Sequence, residues 1–213
     1  MIQTIARCDD RMVKVSGPSQ SGKTEAVIQR CAHLISNGVP AADIFVETTT
    51  SFAAQAFKDR LATELEARGV ASELPRVETA LDACVRVLST PHAEAVTGRV
   101  AYVLNRTENI FLLEDLKTLG LKPRRLRSLL ARFDAQWAQG TPEEKWLAAG
   151  EEEAVYRTLV QLLAQRNAML PEEAIYLCLR YLQSEEGKDA RHAYRYVLCD
   201  DFQNLTASAQ SAL

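Results

Sequence analysis

Two short stretches carry the residue types from which chemistry could be built. "GPSQSGKT", Gly17 to Thr24, satisfies G-x-x-x-x-G-K-[ST], the Walker A pattern, at every fixed position. In such a loop the backbone N–H groups and the N-terminus of the following helix surround phosphate oxygens, and glycine lets the backbone come close. Gly17, Pro18, Ser19, Gln20, Ser21 and Gly22 form the cradle, Lys23 brings positive charge to the outer phosphates, and the Thr24 hydroxyl can ligate Mg²⁺. A glycine turn that merely contains Lys and Thr is the plainer alternative, but the pattern lies between an expected strand and an expected helix, as a phosphate loop requires. The second stretch is "YVLCDDFQN", Tyr196 to Asn204, where two adjacent carboxylates close an apolar run. Asp is depleted in strands and adjacent like charges repel, so the pair is a poor way to continue a sheet. A phosphate loop needs a carboxylate across from it to hold Mg²⁺ and a second to orient an attacking water. Asp200 fits the first role and Asp201 the second, whereas two exposed aspartates at a strand-to-turn junction would be the reading of an isolated pair.

These groups must be positioned by regular elements. "MVKVS" (12–16) alternates apolar and polar residues between Asp10 and Gly17, the pattern of a short strand. From Thr24 the apolar positions Ala26, Val27, Cys31, Leu34 and Ile35 recur at helical spacing until Asn37 and Gly38 stop them. "DIFVE" (43–47) predicts a second strand, Ser51 a cap for the helix that ends at Gly69, and "PRVETA" (75–80) a third strand. This alternation, with the phosphate loop inside it, predicts an α/β fold of the P-loop NTPase kind: a parallel sheet flanked by helices. From about residue 90 to 169 β-branched runs give way to capped helical periods, including "KPRRLRSLLARFDAQWAQG" and "TPEEKWLAAG". The expected organisation is a nucleotide-binding domain over 1–90 and 170–213, interrupted by an all-helical insertion over 91–169.

Bulk properties narrow the classes. With 213 residues and 47% hydrophobic composition, the chain can bury one good core, or one core and a smaller insertion. A formal net charge of −3 excludes nucleic-acid binding by bulk positive charge. Cys8, Cys31, Cys84, Cys178 and Cys199 are odd in number, with no C-x-x-C pair, which fits neither a disulfide framework nor a zinc site and points to a reducing cytoplasm. No run of 18 apolar residues occurs, so no membrane partner is expected.

"VSGPSQSGKTEAVIQR", "TTTSFAAQAFKDRL" and "YVLCDDFQN", in that order, resemble the first three sites of the UvrD/Rep-type superfamily 1 DNA helicases. The family follows its phosphate loop with T-x-T-N-K-A-A-x-x-M-x-x-R-[IL], which touches single-stranded DNA, and later with D-E-[FY]-Q-D. The resemblance spans nearly the whole chain, and it implies ATP and Mg²⁺ as cofactors and single-stranded DNA as a partner. Matched position by position, it makes Lys23 and Thr24 the phosphate and Mg²⁺ residues, Asp200 the metal carboxylate, Asp201 the catalytic base and Gln203 the sensor of nucleotide state. Thr48, Thr50, Ala53, Ala54, Arg60 and Leu61 match the DNA-touching segment, and Gln3 is the candidate for the adenine-contacting glutamine. Departures fall mainly on the DNA side: Thr49 replaces a base-stacking aromatic, worth roughly 1–3 kcal/mol per base, and Phe52 replaces a Lys. Leu81 stands for a His and Asn204 for an Asp. Asp201 stands for a Glu, one methylene shorter, which bears on hydrolysis and not on binding.

The family's later motifs have no counterpart before Leu213, so the expectation is an N-terminal portion that does not unwind DNA by itself. Arginines that complete the ATP site would come from a second RecA-like domain, and such a residue is worth on the order of 10³–10⁵ in rate. In "KPRRLRSLLARFDAQW", Leu126, Leu129, Leu130, Phe133 and Trp137 make one stripe, while Arg124, Arg125, Arg127 and Arg132 fall on the other side. That arginine face is a candidate DNA contact, or a solvated face paired with Glu. Two other readings stay open: a small P-loop phosphotransferase, and a non-hydrolysing nucleotide-binding interaction module. Missing sheet strands would also leave an edge through which copies could associate.

Overall fold

Four residues, Ile44–Glu47, are all buried and form β1, the centre of a three-stranded parallel sheet of order β2-β1-β3. A strand covered on both faces reads as a continuous apolar run, and "IFV" does so until Glu47 ends it. β2 is Arg76–Glu78, with Val46 opposite Val77; β3 is Tyr196–Cys199, with Val46 opposite Leu198 and Glu47 opposite Cys199. This is a computed structural model, and it describes residues 2–8, 10, 12–18 and 20–213.

Eleven α-helices occur among those residues. In chain order they are α1 Ile2–Ala6, α2 Lys23–Ser36, α3 Ser51–Ala67, α4 Ala80–Leu88, α5 Pro91–Thr97, α6 Arg106–Leu116, α7 Pro123–Ala138, α8 Glu151–Gln165, α9 Pro171–Gln183, α10 Lys188–Arg191 and α11 Ala207–Ala212. The expected α/β class, a parallel sheet flanked by helices, is what the chain adopts. Among the described residues, no helix is long and apolar enough to cross a membrane. All five cysteines are free thiols.

The chain divides into two compact units, Met1–Ala80 with Arg191–Leu205, and Leu81–Ala190 with Thr206–Leu213. In the first, one sheet face presents Ile44, Val46, Val77 and Leu198 to Ile28, Cys31 and Ile35 of α2 and to Phe57, Leu61 and Leu65 of α3. The Arg30 guanidinium ties α1 to α2 by donating to the Ala6 carbonyl at 2.9 Å. The second unit is helical, with Leu112 and Leu116 of α6, Leu126, Leu129, Phe133 and Trp137 of α7, and Val155, Leu159 and Leu163 of α8 in one core. Edge-to-face contacts at the heart of that core join Phe133 to Tyr156 (5.3 Å) and Trp146 to Tyr156 (5.4 Å).

Four local expectations give way. Among the described residues, 12–16 pair with no strand; Met12 and Val13 are exposed, so their alternation is not anchored by a core. Thr50, not Ser51, caps α3, its hydroxyl accepting from the Ala53 N–H at 3.0 Å, and Ser51 is the first helical residue. "TPEEKWLAAG" makes only a 3₁₀ turn at Glu143–Lys145, because Trp146 turns into the aromatic cluster with its indole N–H donating to the Thr141 carbonyl at 3.0 Å. Finally, α9 was expected with the sheet after residue 170, whereas Leu170 and Tyr176 pack in the helical core and the chain rejoins the first unit only at Arg191. Glu173 fastens that start: it accepts from the Leu170 N–H at 3.1 Å and pairs with Arg99 at 3.1 Å, both side chains largely buried.

Because Phe133 has no exposed surface and touches three aromatic neighbours, Phe133→Ala is expected to destabilise the helical unit by about 3–5 kcal/mol. Urea denaturation followed by tryptophan fluorescence checks this; a loss under about 1 kcal/mol would show that the site collapses around the deletion.

Candidate functional site

The first unit gathers its chemistry at the C-terminal ends of β1 and β3 and at the start of α2. Gly22 is the N-cap of α2 with φ 87°, a left-handed conformation natural to glycine, and makes no side-chain cap. The N–H groups of the first turn are therefore left for a ligand, and the helix dipole favours an anionic one. The loop before it is tight: the Ser21 N–H donates to the Pro18 carbonyl at 3.3 Å, and a Cβ on Gly17 would lie 2.6 Å from the Ser21 Oγ. A side chain at 17 would require the Ser21 hydroxyl to turn away, so glycine suits a loop that wraps closely around phosphate. Lys23 folds back over this loop, its Nζ donating to the carbonyls of Gly17 (3.2 Å) and Pro18 (2.9 Å). Ile5, Val15, Pro18, Gly22 and Ala26 line a pocket beside it.

The Thr24 hydroxyl donates to Asp200 Oδ2 at 2.8 Å, bridging residues that are 176 apart in the chain. The other Asp200 oxygen, Oδ1, is buried with no hydrogen-bond partner among the described residues. A hydroxyl and a carboxylate side by side, one oxygen still unsatisfied, are the hard oxygen donors that suit Mg²⁺, which takes one or two carboxylates and fills its remaining positions with water and substrate phosphate. The residues present thus fit a Mg²⁺–nucleotide pair. Asp200 sits where β1 and β3 continue to pair, its N–H donating to the Glu47 carbonyl at 3.0 Å. Asp201 then turns the chain with φ 58°, and its Oδ1 accepts from the Gln203 side chain at 3.0 Å.

Burial pushes the Asp200 carboxyl above its ordinary range; the Thr24 hydrogen bond opposes that shift and the Asp201 charge adds to it. A third carboxylate joins these two without belonging to either motif. Glu47 is fully buried, neither of its oxygens has a hydrogen-bond partner among the described residues, and its pKa is pushed up to about 7 by burial and by the charges of Asp200 and Asp201. Its only signal in the sequence was a Glu closing an otherwise apolar strand.

The remaining candidates distribute unevenly. Thr48 is buried, its hydroxyl donating to the Thr50 carbonyl at 3.3 Å, while the Thr50 hydroxyl is engaged as the α3 cap. Arg60, half-exposed, is paired with Glu25 of α2. Arg124, Arg125 and Arg127 are exposed on α7 in the other unit, where Arg125 pairs with Glu151 at 2.8 Å; neighbouring Arg132 pairs with Glu152 at 2.8 Å. Gln3 belongs to α1, but its side chain lies outside the described residues, as does Ser19.

A protonated Glu47 favours the folded chain, which keeps its proton up to about pH 7, while the unfolded chain releases it near 4.5. The resulting stability is fully present below the ordinary glutamate range and is lost as the pH rises through about 7. In EDTA, wild type is therefore expected to lose up to roughly 3 kcal/mol relative to Glu47→Gln between those limits. Paired urea melts across pH check this, and parallel curves for the two proteins would show that Glu47 is ionised at all these pH values.

A comparison with curated proteins finds no match for this chain. The family model described as UvrD/REP helicase N-terminal domain matches residues 3–213, nearly the entire sequence. With the phosphate loop, the Thr24–Asp200 bridge and the parallel sheet in place, the chain belongs to the UvrD/REP helicase N-terminal domain family.

Proposed function

We propose that this chain is the ATP-binding N-terminal portion of an ATP-dependent DNA helicase. One observation carries the reading: the Thr24 hydroxyl meets Asp200 at 2.8 Å, so the end of a phosphate loop and the carboxylate of a distant strand form one oxygen-rich site. The match to a family of N-terminal domains supports the reading. In this view the N–H groups of the first turn of α2, from Lys23 onward, receive the phosphates. Lys23 releases the Gly17 and Pro18 carbonyls and turns to the outer phosphate. Thr24 and Asp200 hold Mg²⁺, which when bound neutralises phosphate charge and orients the terminal group. The apolar pocket of Ile5, Val15 and Ala26 lies beside the loop for the nucleoside, and the family resemblance makes Gln3 the candidate adenine-contacting residue.

Asp201 is the group that takes the proton of the attacking water. Its arm is a methylene shorter than a glutamate's and is held by Gln203, so turnover by this chain is slow. Gln203, bonded to that carboxylate, reports the state of the nucleotide. The segment from Thr48 to Arg60, in which Phe52 is 85% exposed, faces single-stranded DNA, and the exposed Arg124 and Arg127 add positive charge on the helical unit. Unwinding requires arginines from a second RecA-like domain. The unpaired edge of β3, where Val197 is 42% exposed, is the place for association of copies. Free thiols throughout suit a cytoplasmic setting.

Lys23→Ala is expected to weaken binding of Mg²⁺–ATP by at least about tenfold, ~1.4 kcal/mol, in titration calorimetry on the full chain; equal binding by both proteins would remove the nucleotide reading. Asp201→Glu is expected to raise the slow release of inorganic phosphate from ATP. Unchanged or slower release would assign the proton transfer to another group. Rapid phosphate transfer to a small acceptor would favour a phosphotransferase instead.

A further inference from the structure

Glu47 is an unusual residue for its place. Ile44, Phe45 and Val46 before it are fully or almost fully buried and apolar, and a central parallel strand ordinarily continues in that manner. Instead the strand ends in a carboxylate with no exposed surface and, among the described residues, no partner for either oxygen, while the Glu47 backbone carbonyl accepts from the Asp200 N–H at 3.0 Å. Asp200 Oδ1 is likewise buried and without a partner among the described residues. Three orphaned carboxylate oxygens thus lie at the ends of two adjacent strands, and Asp200 and Asp201 both act electrostatically on Glu47. Such a group is tolerated only when something positive, a proton or a cation, resides with it.

Among the described residues, no three His, Cys, Asp or Glu side chains close on a single point as an all-protein metal cage does. That suits Mg²⁺, which dehydrates reluctantly and is held by one or two carboxylates with several waters retained. We infer that Glu47 is a third acidic group on the metal side of the site, accepting hydrogen bonds from the water shell of a divalent cation held by Asp200 and Thr24. The inference rests on the nucleotide-site reading above and adds to it: the cation binds this chain before any nucleotide arrives, because the protein itself supplies more negative charge than Asp200 alone. Glu47 is a positioning residue in this sense, acting on the cation through its waters.

The test is a titration of the full chain with MnCl₂ in the absence of nucleotide, with the free Mn²⁺ read by electron paramagnetic resonance. Wild type is expected to take up one Mn²⁺, Glu47→Gln to bind it at least about tenfold more weakly, and Asp200→Asn to lose it. No uptake by wild type, or equal uptake by Glu47→Gln, overturns the inference and leaves Glu47 as a buried acid that keeps its proton. A measurement on wild type alone covers the case in which Glu47→Gln does not fold. MgCl₂ is expected to raise the melting temperature of the nucleotide-free chain above that in KCl of equal ionic strength, and identical melting overturns the inference. Failure of the nucleotide reading would appear separately, as indifference of ATP binding to Lys23→Ala.

Discussion

Parallel pairing of β1 with β3 is the constraint on which the first unit depends. Ile44–Glu47 and Tyr196–Cys199 are separated by the whole helical unit, yet their register, Ile44 to Tyr196 through Glu47 to Cys199, fixes where Asp200 emerges. The bond from the Asp200 N–H to the Glu47 carbonyl extends that ladder by one step. Without it the Thr24 hydroxyl would have no carboxylate to meet, and the phosphate loop would be a glycine turn ahead of a helix. Long-range pairing of this kind is bought with loop-closure entropy, recovered here by a strand with no exposed apolar surface.

The same pairing concentrates negative charge. Two strand ends deliver Glu47, Asp200 and Asp201 to one region, and the basic group aimed toward the loop, Lys23, instead satisfies the carbonyls of Gly17 and Pro18. Burial then acts on the carboxyls in the direction that penalises charge, which is why Glu47 and Asp200 both have raised pKa values. A region arranged like this is poorly satisfied by its own side chains and well prepared for cations and for the N–H-seeking phosphates that accompany them.

The helical unit rests on different physics. Its core is an aromatic and leucine cluster from α6, α7, α8 and α9, with Tyr156 meeting both Phe133 and Trp146 edge to face. Polar anchoring is done by a few buried or half-buried pairs, of which Arg99 with Glu173 is the most enclosed. The arginines on the outer side of α7 divide between partners and solvent: Arg125 and Arg132 pair with glutamates that begin α8. Half of that arginine face, open in the sequence to DNA contact or to pairing with Glu, is therefore tied to the unit's own acidic helix start.

What the sequence by itself determined was whatever local chemistry dictates. Gly22 before Lys23 and Thr24 marked a glycine loop leading into a helix, and α2 starts at Lys23. The stripe of Leu126, Leu129, Phe133 and Trp137 required a buried helix face, and those four side chains are buried. The alternation of strand and helix required a parallel sheet, and the family resemblance in the loop and the "DDFQ" stretch extended over nearly all residues. Only the tertiary structure decided that residues 12–16 stay outside the sheet, that Trp146 interrupts a helix by turning into an aromatic cluster, and that α9 joins the helical core. It alone revealed Glu47 as a member of the site. The reason is common to all four: strand pairing and burial join segments far apart in the chain, so a four-residue pattern does not specify which surface will cover it.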